Sequence, residues 1–248
     1  MYIAAMEQQF PFMMESILDN VFYKITMQCA VIRLFPDVKA GYNFINRGVH
    51  LFPEGFGEEL QYHVNAMAGL SLTREEKQFL ASRCPYLNPA YLDFLQGYRY
   101  DPAEVTIVQR GAELEVKVQG YWYRTILWEV PLLALFSELF YKMQGTARIS
   151  NEALALRTRD KMNIFKNLGV TVAEFGTLPR HSYEVQKEVL STMMDYSDGT
   201  FVGTSNVHLA MVYDTKIIGT HAHEWFMFHG ARYCYKIANA FALKSWVK

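Results

Sequence analysis

The stretch Gly219-Thr220-His221-Ala222-His223-Glu224-Trp225 gathers two imidazoles and a carboxylate at neighbouring positions. An imidazole near neutral pH can accept or donate a proton, attack an electrophile or bind a metal. On these residues alone three readings stay open. His221 and His223 could face one side of an extended turn as a metal pair, with His229 or Glu224 as a further ligand. One of them could be a nucleophile or general acid–base. Both could be structural, satisfied by hydrogen bonds at a helix start.

The Gly-Thr pair in this stretch also closes two earlier β-prone runs. Gly176-Thr177 closes the β-prone run 170–175, Gly203-Thr204 closes Phe201-Val202, and Gly219-Thr220 closes Ile217-Ile218. Glycine lets a backbone come close to a ligand, while exposed hydroxyls and free N–H groups at a helix start suit an anion such as phosphate. Thr177, Thr204 and Ser205 are therefore candidate anion contacts. Phe175 sits at a strand end, where an inward-facing ring would meet the ligand. Arg180 can hold a carboxylate or phosphate, although a lone loop arginine is usually solvated. Asp19, Lys24 and Arg47 are expected as surface charge, and Tyr23, Phe44 and Trp225 as core aromatics.

Such turns need elements to hold them together. A short strand before each turn and a helical segment after it, over 182–194, 205–213 and 224–247, predict right-handed crossovers and a parallel sheet, open or closed into a barrel. A helix over 151–168, ended by Gly169, precedes them. The earlier part of the chain has another rhythm. Helical spacing covers 17–35 and a strand 38–44. The turn 52–55 leads to a short helix. A capping box begins at Thr73, and Asn88-Pro89 opens another helix. A hairpin turns at Arg110-Gly111, and an apolar helix starts near Glu129. The expected fold is thus mixed α/β: an α+β domain over residues 1–145, then the first strand-helix units of an irregular α/β barrel over 146–248. About eight such units close a barrel, so this one is expected to be incomplete.

Composition narrows the function classes. A chain of 248 residues with 51% apolar and 15% aromatic residues can bury a large core, and a net charge of −1 gives no reason to expect nucleic acid or a membrane surface as partner. Residues 125–143 are apolar but interrupted by Glu129, Pro131, Glu138 and Lys142, which fits a buried amphipathic helix. Cys29, Cys84 and Cys234 are scattered and odd in number, and the first 20 residues carry Glu7, Glu15 and Asp19. A cytoplasmic protein without a disulfide framework or signal peptide is expected.

Several longer motifs carry a resemblance. They are Leu18-Asp19-Asn20 with Tyr23-Lys24 and Thr26-Met27-Gln28; the run from Ile126-Leu127-Trp128-Glu129 to Ser137-Glu138; Glu174-Phe175-Gly176-Thr177; Ser182-Tyr183-Glu184-Val185-Gln186; Val202-Gly203-Thr204-Ser205-Asn206; and Gly219 to Trp225. Together they resemble the amino-terminal portion of the nicotinate phosphoribosyltransferase family. The resemblance implies a cytoplasmic homodimer that moves the phosphoribosyl group of phosphoribosyl pyrophosphate onto nicotinate, making nicotinate mononucleotide for NAD synthesis. Mg²⁺ accompanies the substrates, and ATP hydrolysis is coupled through a phosphohistidine.

By this resemblance His223 is the phosphate-accepting histidine. Phe175 and a partner subunit's Tyr23 sandwich the pyridine ring. Ser205 is a substrate-side hydroxyl that favours the acid over the amide, Gly176, Thr177 and Thr204 line the site, and Arg47 and Arg180 stand near phosphate or carboxylate groups. The chain departs from the family at Val21, where an acidic residue is usual, and at Leu178-Pro179, where arginines follow Phe-Gly-Thr. These departures leave a second expectation, a truncated non-catalytic homologue that binds ligand or dimerises.

Overall fold

A computed structural model describes residues 12–48, 50–178 and 180–247. Glu7 and Pro179 lie outside the described residues.

The helix expected from residue 17 begins only at Phe22, as α1 (Phe22–Leu34). The preceding residues are spent otherwise. Asn20 Oδ1 accepts from the Val21 N–H at 2.9 Å, and Val21 is extended. The Phe22 N–H donates to the Ser205 carbonyl at 2.9 Å, and the Val207 N–H to the Asn20 carbonyl at 3.1 Å. A segment that pairs with a distant loop cannot also close helical hydrogen bonds.

The first sheet has the order β1-β3-β2, all antiparallel, from β1 (Lys39–Asn43), β2 (Val105–Arg110) and β3 (Glu113–Tyr121). The β2–β3 hairpin turns at Gly111, whose φ of 59° suits glycine. Helices α2 (Phe56–Ala66), α3 (Arg74–Arg83), α4 (Pro89–Gly97), α5 (Trp122–Thr125) and α6 (Glu129–Met143) accompany it. Their apolar faces supply Phe56, Leu60, Leu80, Leu95, Trp122, Leu135 and Leu139 to one large core.

After α7 (Asn151–Asn167) comes a parallel pair, β4 (Val172–Glu174) and β5 (Phe201–Thr204), crossed by α8 (Tyr183–Asp195) and followed by α9 (Val207–Val212). Two expectations change here. The third strand shrinks to one parallel bridge, Thr204 to Ile217, because only a few residues separate the turn at Asp214 from Gly219. The single long helix over 224–247 is two, α10 (His223–Tyr233) and α11 (Tyr235–Trp246), broken at Cys234 where φ is 68°. The break folds α11 back along α10, and Trp225 Nε1 donates to the Ala242 carbonyl at 3.0 Å. Gly230 makes room for this return, since a Cβ there would sit 3.2 Å from the Tyr235 ring.

Val207, Ala222, Trp225 and Ala242 join the same core as the first sheet, whereas Tyr183, Leu190 and Leu209 form a separate small cluster. No helix among the described residues is long and apolar enough to cross a membrane.

Candidate active site

Because β4 and β5 run parallel, their carboxyl ends lie side by side, and the Ser205 N–H donates to the Glu174 carbonyl at 2.9 Å. This brings the Phe175-Gly176-Thr177 and Thr204-Ser205 turns together. Glu174 then folds its carboxylate over both. It accepts from the Gly176 N–H, from Thr204 Oγ1 at 2.5 Å and from Gln186 Nε2 at 3.1 Å. A Cβ on Gly176 would stand 2.6 Å from that carboxylate, so any other residue here would push the carboxylate aside. Gly203 answers a different neighbour. Its φ is 142°, and a Cβ would meet the Lys216 carbonyl oxygen at 2.2 Å.

The hydroxyls expected to be exposed at these turns are buried. Thr177 Oγ1 accepts from Gln186 Nε2 at 3.0 Å and from Asn206 Nδ2 at 3.2 Å, and both Thr177 and Thr204 are 0% exposed. Asn206 also caps α9, accepting from the Leu209 N–H at 3.0 Å. Ser205 is buried as well, but its Oγ has no hydrogen-bond partner among the described residues. Such a hydroxyl is costly unless something else satisfies it.

Asp19 departs from expectation, and Arg180 holds a carboxylate from within the chain. Neither is surface charge: Arg180 and Asp19 are 4% and 0% exposed and form a bidentate pair, at 2.7 and 2.8 Å. Asn206 Nδ2 adds a third bond to Asp19 at 2.7 Å, and the Tyr183 ring lies under the guanidinium at 5.1 Å. A ligand anion reaching Arg180 meets a guanidinium already paired. Phe175 remains 39% exposed at the end of β4. Its ring makes no contact with Tyr23 among the described residues.

His223 opens α10 and is exposed, and among the described residues no side chain caps that helix. The next residue, Glu224, accepts from Lys24 Nζ at 2.6 Å, Tyr42 Oη at 2.5 Å and Trp122 Nε1 at 2.5 Å. Lys24, expected at the surface, is 1% exposed and pairs with Glu129 as well. Burial works against its charge, but the two carboxylates outweigh that and raise its pKa. Burial raises the half-buried Tyr23 phenol, with Lys24 opposing and Glu129 and Glu224 adding to the rise. Burial, then Glu224, likewise pushes the Tyr42 phenol far above its ordinary value.

His221 diverges from His223. It packs edge-on to Trp246 at 4.9 Å and lines a cleft of about 530 Å³ with Phe22, Arg33, Gly219 and Thr220. His229, the possible third ligand, shares its Nδ1 with the Trp225 carbonyl at 2.8 Å. Among the described residues no group of three or more His, Cys, Asp or Glu is arranged to hold a metal ion. Arg47 is exposed, as a surface charge should be, and lines a groove of about 260 Å³ with Tyr42, Phe44 and Glu129.

Sequence reasoning missed the groups that hold these turns. Glu174, Gln186 and Asn206 lie inside the quoted motifs, but nothing in their spacing says that they bond to one another. Asn206 carried a usable signal, an Asn directly before a helix. Tyr42, Trp122 and Glu129 carried none that points to Glu224.

These features define a mixed α/β protein whose candidate ligand groups gather at the carboxyl ends of parallel strands and at one helix start. Residues 18–137 match the family described as the nicotinate phosphoribosyltransferase N-terminal domain, and residues 170–248 match the nicotinate phosphoribosyltransferase family. The chain belongs to this family. It is 57% identical to a nicotinate phosphoribosyltransferase of Chromohalobacter salexigens over 95% of this chain and 60% of the relative. It is 44% identical to one of Desulforapulum autotrophicum, over 94% of this chain and 60% of the relative. The crystal structure of nicotinate phosphoribosyltransferase from Porphyromonas gingivalis superposes with a TM-score of 0.91 at 42% identity, covering 95% of this chain and 60% of that one. The chain thus spans about 60% of the length of the curated relatives it matches.

Proposed function

We propose that the protein acts in nicotinate phosphoribosyl transfer, making nicotinate mononucleotide from nicotinate and phosphoribosyl pyrophosphate for NAD synthesis. The observation that carries this reading is the placing of Phe175 and Ser205 at adjacent parallel strand ends, one an exposed ring and the other a buried hydroxyl with no hydrogen-bond partner among the described residues. A flat aromatic acid can stack on Phe175 while its carboxylate accepts from Ser205 Oγ. The partner subunit's Tyr23 closes the other face in a homodimer. Stacking directs the pyridine nitrogen at the anomeric carbon of the ribose. The new carbon–nitrogen bond forms there as the carbon–oxygen bond breaks and pyrophosphate leaves with both electrons.

His223 is the proposed phosphate acceptor. Its ring is exposed at a helix start where N–H groups favour an anion, and ATP hydrolysis is coupled through its phosphorylation. Mg²⁺ would come with the phosphates of the substrate. The setting is the cytoplasm.

Labelled ATP should place phosphate on the folded protein, and His223→Ala should lose it while His221→Ala retains it. A folded wild-type chain that takes no label at saturating ATP removes the phosphohistidine role. Val21 supports a second reading, a non-catalytic ligand-binding or dimerising homologue. It is an apolar residue 1% exposed, bridged to Asn206, where the family usually has an acid. Nicotinate binding by calorimetry without nicotinate-dependent pyrophosphate release would favour that reading, and steady release would exclude it.

A further inference from the structure

His223 and Glu224 are neighbours in the first turn of α10, yet their side chains have opposite surroundings. The His223 ring is exposed and has no hydrogen-bond partner among the described residues. Glu224 is held from three other elements, by Lys24 of α1 at 2.6 Å, Tyr42 of β1 at 2.5 Å and Trp122 of α5 at 2.5 Å. Two of these donors, Lys24 and Trp122, are themselves buried. They cannot turn to water without moving a core. Lys24 is fixed again by Glu129 of α6. On the other side of the same turn, Trp225 is 0% exposed, stacks beside Trp122 at 6.1 Å and bonds to α11.

A helix start is ordinarily free to fray, because its first N–H groups have no partner within the helix. Here the two residues that follow His223 are both anchored, Glu224 to α1, β1 and α5 and Trp225 to Trp122 of α5 and to α11. We propose that Glu224 is a positioning residue for His223, a clamp that fixes the first turn of α10 to the antiparallel sheet unit so that the imidazole is presented in one place. The clamp extends further. Its lysine adjoins Tyr23 on α1, so the helix carrying the stacking ring and the helix carrying the histidine share one buried ion pair. This proposal rests on the reading of His223 as phosphate acceptor for its consequence, though not for its geometry.

Glu224→Gln keeps the side-chain shape, and Glu129 keeps Lys24 paired, so the variant should fold. The rate of labelling from ATP should fall about tenfold or more, with the half-saturating ATP concentration unchanged. Glu224→Asp, which keeps the charge but reaches less far, should recover part of the rate. Tyr42→Phe removes one leg of the clamp and should cost about threefold; it serves if Glu224→Gln fails to fold.

A second readout needs no ATP. In the wild-type protein the His223 imidazole should give one sharp resonance in a nitrogen-detected NMR spectrum. In Glu224→Gln it should broaden or split, with His229 unchanged. A folded Glu224→Gln that labels at the wild-type rate overturns the proposal. So does a loss that appears only as weaker ATP binding, which would make Glu224 a ligand contact. If the wild-type protein takes no label, the phosphohistidine reading fails by itself, and the His223 resonance decides the clamp: unchanged in the variant, it overturns it.

Discussion

The antiparallel sheet unit and the parallel strand ends are held by different forces. Around β1–β3 the helices bury large apolar side chains such as Phe56, Leu60, Trp128 and Leu139, each at 0% exposure. Around β4 and β5 the separate apolar cluster has only Tyr183, Leu190 and Leu209 at its centre. What fixes the turns there is a buried polar network running from Asp19 and Arg180 through Asn206 and Thr177 to Gln186 and Glu174. Apolar packing is non-directional and tolerates small shifts, while a buried network is satisfied in one geometry and costly when half-satisfied. The part that carries candidate ligand groups is thus the part whose geometry is most narrowly specified.

The sharpest way to break this contrast is Arg180→Met. It leaves Asp19 buried with its charge uncompensated except for Asn206, and should cost about 3–5 kcal/mol in urea denaturation. Adding Asp19→Leu should return much of that loss, because two apolar side chains need no partner. If Arg180→Met instead leaves stability within about 0.5 kcal/mol and weakens only ligand binding, Arg180 is a ligand group. The network would then not be what holds the turns.

The difference between the regions also governs how much was legible in the sequence. Local signals were read correctly where local physics decides: the capping box at Thr73, the Asn88-Pro89 helix start, the hairpin at Gly111 and the terminator Gly169 with φ of 65°. The repeated strand, Gly-Thr and helix pattern predicts turns on one side of a parallel sheet, and those after β4 and β5 lie side by side. The burial of charged residues is misjudged at Asp19 and Lys24, both expected at the surface and both buried, and Arg180, expected near an anion, is buried against Asp19. A charged residue is buried when its partner is near, and those partners lie 161 positions away for Asp19 and Arg180 and 200 for Lys24 and Glu224. No periodicity reports a pairing of that range. The break at Cys234 was hidden for a related reason, because only the return of α11 onto Trp225 reveals it.

The sheet unit has its own polar exception. His63 is 0% exposed, stacked on Phe12, and neither ring nitrogen has a hydrogen-bond partner among the described residues. Burial first, then the charge of Lys142, lowers its pKa from 6.5 to about 4. Below pH 6.5 the unfolded chain binds a proton that the folded one refuses, so stability is full above that value and declines as pH falls toward 4. The shift corresponds to about 3 kcal/mol, lost across that window and level below it. His63→Leu should flatten this slope in a series of denaturation curves. An unchanged slope would mean that the acid sensitivity does not come from His63.

The smallest expected effect tests whether burial, and not reciprocity, makes the strand-end network costly to break. Thr73 and Glu76 also exchange hydrogen bonds: Thr73 Oγ1 accepts from the Glu76 N–H at 3.1 Å, and Glu76 Oε2 accepts from the Thr73 N–H at 2.8 Å. Here, however, Thr73 is exposed, and Ser16 also donates to Glu76. When Thr73→Ala removes the hydroxyl, water can take its place at the Glu76 N–H, and the carboxylate keeps its other donors. The cost should be about 1 kcal/mol, the usual value for a lost helix cap. A loss as large as that of Arg180→Met would show that reciprocal bonding alone sets the penalty. The contrast between a water-backed cap and a sealed network would then have no energetic basis.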